Sequence, residues 1–201
     1  MADYTLTYFD FAGGRGEDCR LALHLAGVDF VDDRIDPKTW PERKVKTPFG
    51  ALPILDVAGK GTLAQSNAIL VYLGRKHGLL PKDEFEQARH VAFLEASEDF
   101  RAAVGATSAH KDAELRKSAR EAFAAGPLKD WARSVEAFIQ GPFVTGAPLY
   151  VTDIKLYTVV NWIQKGVLDH VPADAFAAFD KLTALHRAVA DHPKIQSWYQ
   201  R

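Results

Sequence analysis

Residues 4–27 read Tyr4-Thr5-Leu6-Thr7-Tyr8-Phe9-Asp10-Phe11-Ala12-Gly13-Gly14-Arg15-Gly16-Glu17-Asp18-Cys19-Arg20-Leu21-Ala22-Leu23-His24-Leu25-Ala26-Gly27. The first six residues are rich in β-branched and aromatic side chains, which predicts a strand that ends before Gly13-Gly14. Beyond the glycines, Cys19, Leu21, Ala22, Leu25 and Ala26 recur at helical spacing, and Gly27 supplies a stop. Val28 to Ile35 alternates as a second strand. The intervening helix gives the chain length that a right-handed βαβ unit with parallel strands needs.

Outward from this unit, a short helix is expected over Pro41 to Val45. Leu52 to Val57 and Thr62-Leu63 read as two strands around the turn Ala58-Gly59-Lys60-Gly61. Ser66 is then expected to cap a helix carrying Ile69, Leu70, Tyr72 and Leu73, which ends near His77-Gly78. The order β-α-β, helical connector, β-β-α is the thioredoxin-like arrangement. Strand signals disappear after Glu86. Leu128, Trp131, Val135, Phe138 and Ile139 fall on one helical face, as do Leu156, Val159, Val160 and Ile163. Gly126-Pro127 predicts a helix break, and Pro172 and Pro193 punctuate the end. The reading is therefore an α/β thioredoxin-like domain over 1–78, a linker over 79–85 around Pro81-Lys82-Asp83-Glu84, and an all-helical domain over 86–201.

Composition narrows the function. The 201 residues carry 25 basic and 26 acidic side chains, a formal charge of −1, which offers no field for nucleic acid or an anionic membrane. The 47% hydrophobic and 11% aromatic content suffices for a buried core. A single cysteine, Cys19, excludes an intramolecular disulfide framework and any CxxC redox or zinc motif and fits a reducing compartment. With no basic-then-apolar leader pattern and no run long enough to span a bilayer, the expected location is cytoplasmic.

Four local features invite a functional reading beside a bland one. Tyr8 ends the first strand just before a helix N-terminus, where a phenol can donate to an anion; on local sequence alone a plain strand aromatic is the favoured reading. Leu52-Pro53 precedes a strand, where a cis peptide would turn the Leu52 backbone toward a ligand and a strand-start proline would not. Gln65-Ser66 stands at a helix start whose N–H groups can take a carboxylate or simply be capped. Trp40 and Lys44, four apart, share a face fit for another carboxylate or for solvent. The seven histidines lack metal-ligand spacing, so no metal is expected. Cys19 reads as a small buried residue.

Taken in order, the segments Tyr4-Thr5-Leu6-Thr7-Tyr8-Phe9, Arg15-Gly16-Glu17, Trp40-Pro41-Glu42, Pro48-Phe49-Gly50-Ala51-Leu52-Pro53-Ile54-Leu55 and Gln65-Ser66-Asn67-Ala68-Ile69 resemble the cytosolic glutathione transferases. The likeness is greatest to the sigma class, the group of haematopoietic prostaglandin D synthases and S-crystallins. Gly146 to Asp153 and Pro193 to Trp198 extend the likeness into the helical region. The resemblance implies a cytoplasmic, homodimeric transferase of the detoxification type that takes glutathione as co-substrate and attacks an electrophilic small molecule. Position by position it implies that the Tyr8 hydroxyl hydrogen-bonds the glutathione sulfur, with Arg15 near the thiol. Trp40 and Lys44 would hold the glycine carboxylate, the Leu52 backbone beside a cis Pro53 the cysteinyl backbone, and Gln65 with Ser66 the γ-glutamyl end. Asp99 would reach that end from the partner subunit, and Phe49 would insert at the dimer seam. Phe9, Phe11, Arg101, Ala106, Lys155 and Val159 are the expected electrophile lining, with Arg101 and Lys155 as cations suited to an acidic electrophile.

The sequence also departs from the family pattern. The loop Phe11 to Arg15 is one residue longer than is usual for the class, and Tyr150 stands where a capping Ser or Thr is usual, which leaves Thr152 or a shifted helix start to replace the cap. The competing readings are a glutathione-dependent isomerase or peroxidase, a crystallin-like structural protein on the same fold, and a thiol-disulfide oxidoreductase acting through Cys19.

Overall fold

Packing divides a computed structural model, which describes residues 2–201, into two units: residues 2–87 together with His192–Arg201, and Ala88–Asp191. The first holds a four-stranded sheet in the order β2-β1-β3-β4. Strand β1 (Tyr4–Phe9) lies parallel to β2 (Phe30–Ile35) and antiparallel to β3 (Ile54–Val57), and β3 lies antiparallel to β4 (Gly61–Ala64). Helix α1 (Gly14–Ala26) links β1 to β2, and Gly27, at φ 71, closes it with N–H bonds to the last carbonyls, the left-handed stop available to glycine at little steric cost. Helices α2 (Trp40–Lys44) and α3 (Ser66–His77) complete the α/β arrangement. Tyr4, Leu6, Cys19, Leu21, Leu23, Leu55, Ile69, Leu70 and Leu73 form its core.

The last ten residues belong to this unit, which differs from the expected division at 79–85. Helix α9 (Pro193–Tyr199) packs on α1. Trp198 Nε1 donates to Glu17 Oε1 at 2.8 Å and Lys194 Nζ to the Leu25 carbonyl at 2.7 Å. Their partners lie some 170 to 180 residues earlier, beyond the reach of any local pattern.

The second unit contains most of α4 (Glu84–Ser108), then α5 (Ala113–Ala125), α6 (Pro127–Glu136), α7 (Val151–Gln164) and α8 (Asp180–Ala190). The break at Gly126-Pro127 separates α5 from α6 as expected. Phe100, Trp131 and Phe176 gather with centroid separations of 4.5 to 6.2 Å. Every residue from Val151 to Val160 is buried, the signature of a helix enclosed on all sides.

Two helix starts differ from expectation. Ser66 is the first helical residue of α3 rather than its cap; Gln65 precedes it at φ 71 and makes no side-chain cap bond. At α7, Thr152 does not cap, because its hydroxyl pairs with His90 Nδ1 at 2.8 Å. The Asp153 carboxylate serves instead, accepting from Tyr150 N–H at 2.8 Å and from Val144 N–H at 2.7 Å. Burial pushes the Asp153 carboxyl up to about 6, against the lowering effect of those two N–H groups and its own.

Candidate functional site

Strand register decides which side chains meet. Thr7 pairs with Ile54, and Ile54 with Ala64. One step further along each strand stand Tyr8, Pro53 and Gln65, so three segments distant in sequence meet at one end of the sheet. On the other side of β1, Phe9 pairs with Ile35, after which a 3-10 turn over Pro37–Thr39 leads into α2 with Trp40 and Lys44. The Phe9 and Trp40 rings meet edge to face at 5.8 Å. The Lys44 stem lies by Gly50, and the Leu52-Pro53 peptide is cis.

Tyr8 is buried and pressed against the first turn of α1. A Cβ on Gly16 would fall 2.1 Å from the Tyr8 ring, and one on Gly14, whose φ is 64°, would fall 2.7 Å from its hydroxyl oxygen. These glycines are what allow the phenol to lie on the helix start. Gly13, at φ 144, and Gly14 also absorb the lengthened loop with backbone angles that other residues rarely adopt. Arg15 follows as an exposed residue of α1. Gln65 is exposed and Ser66 buried at the start of α3.

The donor set suits a tripeptide thiol with two carboxylate ends. It offers a hydroxyl at a helix start, an indole and an ammonium four residues apart, a carboxamide beside a second helix N-terminus, and the Leu52 backbone before a cis proline. Among the described residues no three His, Cys, Asp or Glu side chains gather for a metal ion.

Of the residues expected to line the electrophile pocket, Phe9 is half-buried and Phe11 47% exposed in the first unit; Ala106 is exposed on α4 in the second. Lys155 and Val159 are fully enclosed, which runs against their lining an open pocket. Nor do Lys155 and Arg101 stand ready as cations for an acidic electrophile: Lys155 Nζ is bound to Glu98, as is Arg101 Nη1 at 3.2 Å, and Arg101 Nη2 bonds Thr158 at 3.1 Å. Asp99 is exposed on α4.

Sequence reading missed the group behind Tyr8. Arg20 is fully buried; its Nη1 donates to the Phe11 carbonyl at 3.0 Å, Nη2 to the Phe9 carbonyl at 3.1 Å and Nε to Asp32 at 2.9 Å. Glu17 stands 3.6 Å from Arg20 and accepts from Trp198. The available signal was an acid and a base three apart on the face of α1 that the apolar residues bury.

Two family descriptions match the chain: a glutathione S-transferase N-terminal domain over residues 4–75 and a glutathione S-transferase C-terminal domain over 98–201. Glutathione S-transferase 1 of Ascaris suum is 34% identical, with 98% of this chain and 96% of that protein covered. The prostaglandin D synthase of Nilaparvata lugens superposes with a TM-score of 0.88 at 30% identity, covering 98% of this chain and 97% of that one. Monomeric Na-GST-3 of the hookworm Necator americanus gives 0.81 at 27% identity, covering 98% and 96%.

Proposed function

The chain belongs to the glutathione S-transferase family and has its activity, joining glutathione to an electrophilic partner, and on that premise we propose that Tyr8 keeps the bound thiol ionised. An ordinary thiol titrates at about 8.5, so little thiolate exists at neutral pH. A hydroxyl that donates to the charged sulfur lowers that value, since hydrogen bonding to the ionised form favours it. The thiolate, whose proton has already left to solvent, then forms the sulfur–carbon bond as the electrophile's leaving group departs with its bonding pair or, in an addition, as the electrophile's π pair moves onto the neighbouring atom and takes up a proton from water. Trp40 and Lys44 hold the glycine carboxylate, the Leu52 backbone beside Pro53 the cysteinyl unit, Gln65 and Ser66 the γ-glutamyl end, and Arg15 lies near the thiol.

The observation that carries this reading is the strand register bringing Tyr8, Pro53 and Gln65 to one end of the sheet. Its test is Tyr8→Phe, assayed for conjugation and for the thiolate absorbance of bound glutathione against pH. Turnover falls about 100-fold, the size of effect expected for one lost donor at a developing or resident anion, while affinity for glutathione stays within a few-fold. Unchanged turnover would remove Tyr8 from the role.

The same reading makes the enzyme a cytoplasmic homodimer in which Asp99 serves the neighbouring site. It is supported by the exposure of Asp99 on α4 and by Phe49, whose ring is 81% exposed at φ 58, an apolar side chain held outward on a loop. The lone cysteine, with no possible intramolecular disulfide, suits a reducing compartment. Sedimentation equilibrium gives twice the chain mass if the dimer forms and the single mass if it does not.

A further inference from the structure

We propose that Arg20, with Glu17 and Trp198 behind it, is a positioning residue for thiolate formation, and that the carboxyl-terminal helix thereby acts on the Tyr8 hydroxyl. The inference rests on the role given to Tyr8 above. The turn from β1 to α1 carries that phenol, and its two carbonyls at Phe9 and Phe11 are both held by one guanidinium, at 3.1 and 3.0 Å. The same guanidinium reaches β2 through Asp32 at 2.9 Å and lies 5.7 Å from the centroid of the Tyr8 ring. One rigid planar fork thus ties the turn to the neighbouring strand, the following helix and the face of the phenol.

A fully buried cation stays where its counter-charges hold it, because burial without pairing is costly. Asp32 and Glu17 are those counter-charges, and they differ in what fixes them. Asp32 is held on β2 by Arg34 Nε at 2.7 Å. Glu17 is held by the indole N–H of Trp198 at 2.8 Å, while its other oxygen, buried, accepts no hydrogen bond and faces Arg20 at 3.6 Å. Trp198 itself lies against Phe30, stacked at 6.2 Å, His24, tilted at 5.4 Å, and Arg201, 5.0 Å from the indole ring. The order of support therefore runs from α9 through Glu17 and Arg20 to the turn, and the tight fit of Tyr8 against Gly14 and Gly16 passes any shift of the turn to the hydroxyl.

The test measures the pKa of enzyme-bound glutathione by thiolate absorbance in the full-length enzyme and in Trp198→Phe, Glu17→Gln and Arg20→Lys, each also combined with Tyr8→Phe. Trp198→Phe keeps an aromatic ring at this position and removes the N–H donor together with part of the indole's volume. The expected result is a folded enzyme with a melting temperature lowered by a few degrees, glutathione affinity within a few-fold of wild type, a thiol pKa raised by about half a unit or more, and kcat/KM at low pH reduced about threefold with little change in KM. In the Tyr8→Phe background the further shift disappears, because there is no hydroxyl left to aim. Arg20→Lys, which keeps the charge and loses the fork, gives the larger shift; if it does not fold, Trp198→Phe and Glu17→Gln carry the measurement. Thiol pKa values equal to wild type in these variants, or shifts that add in full to that of Tyr8→Phe, overturn the proposal. A Tyr8→Phe enzyme with an unshifted thiol would instead overturn the role of Tyr8, and this proposal with it.

Discussion

Two helix starts in this molecule solve the same electrostatic problem in opposite ways. Both α3 and α7 expose backbone N–H groups that no carbonyl within the helix can satisfy. At α7 the chain supplies its own acceptor: Asp153 reaches back to Tyr150 N–H and across to Val144 N–H, in full burial. At α3 the residue before the helix is Gln65, exposed, in a left-handed conformation and without a side-chain cap. The first start is closed and serves the fold. The second takes no side-chain cap from the residue before it and stands at the end of the sheet where Tyr8 and Pro53 also arrive, and a γ-glutamyl carboxylate is the acceptor proposed for it. The difference places the proposed ligand where a cap is missing beside a residue at positive φ, and the structural acceptor where the cap is well formed.

The contrast predicts stability effects on one side and affinity effects on the other. The largest is expected for Asp153→Ala, which strands two buried N–H groups and should lower unfolding free energy by about 2 to 4 kcal/mol in urea titrations. A loss below about 0.5 kcal/mol, the range of ordinary surface changes, would break the comparison. Next comes the pH dependence. A carboxyl at about 6 in the folded chain and 3.8 in the unfolded one binds more protons when folded, so its contribution to stability is complete below 3.8 and is lost as pH rises through about 6. Asp153→Asn should abolish that part of the pH profile, and a profile unchanged in the variant would contradict it. The smallest stability effect, opposite in sign, belongs to Gln65→Gly. Glycine adopts the left-handed angle without penalty and should stabilise the chain by up to about 1 kcal/mol, while calorimetric glutathione affinity drops about tenfold. Stabilisation with full affinity would show that the start of α3 is not a ligand site.

Much of the first unit was legible. The glycines around α1, the β-branched and aromatic content of β1 and the alternation of β2 act within a few residues, where side-chain type decides backbone conformation, as does the breaker at Gly126-Pro127 in the second unit. Local features singled out Tyr8, Leu52-Pro53, Gln65-Ser66 and Trp40 with Lys44 one at a time, but only the resemblance joined them into a candidate site, because the meeting of Tyr8, Pro53 and Gln65 depends on strand register, which no single segment contains. The start of α3 was misplaced by one residue since glutamine carries no sign of a positive φ. The role of Asp153 was missed because one of its donors, Val144, lies nine residues upstream in a loop. Arg20 and Glu17 went unnoticed for a related reason: periodicity counts charged residues as outward-facing, and these two are held inward by partners on β2 and α9.

The clasp between Glu17 and Trp198 joins residues 181 positions apart. During synthesis the amino-terminal sheet can therefore collapse long before α9 exists, yet it cannot bury Glu17 against its indole partner until residue 198 has left the ribosome. The first unit to be made is among the last to be completed, so a nascent chain stalled short of residue 192 would carry an unsealed charged helix face.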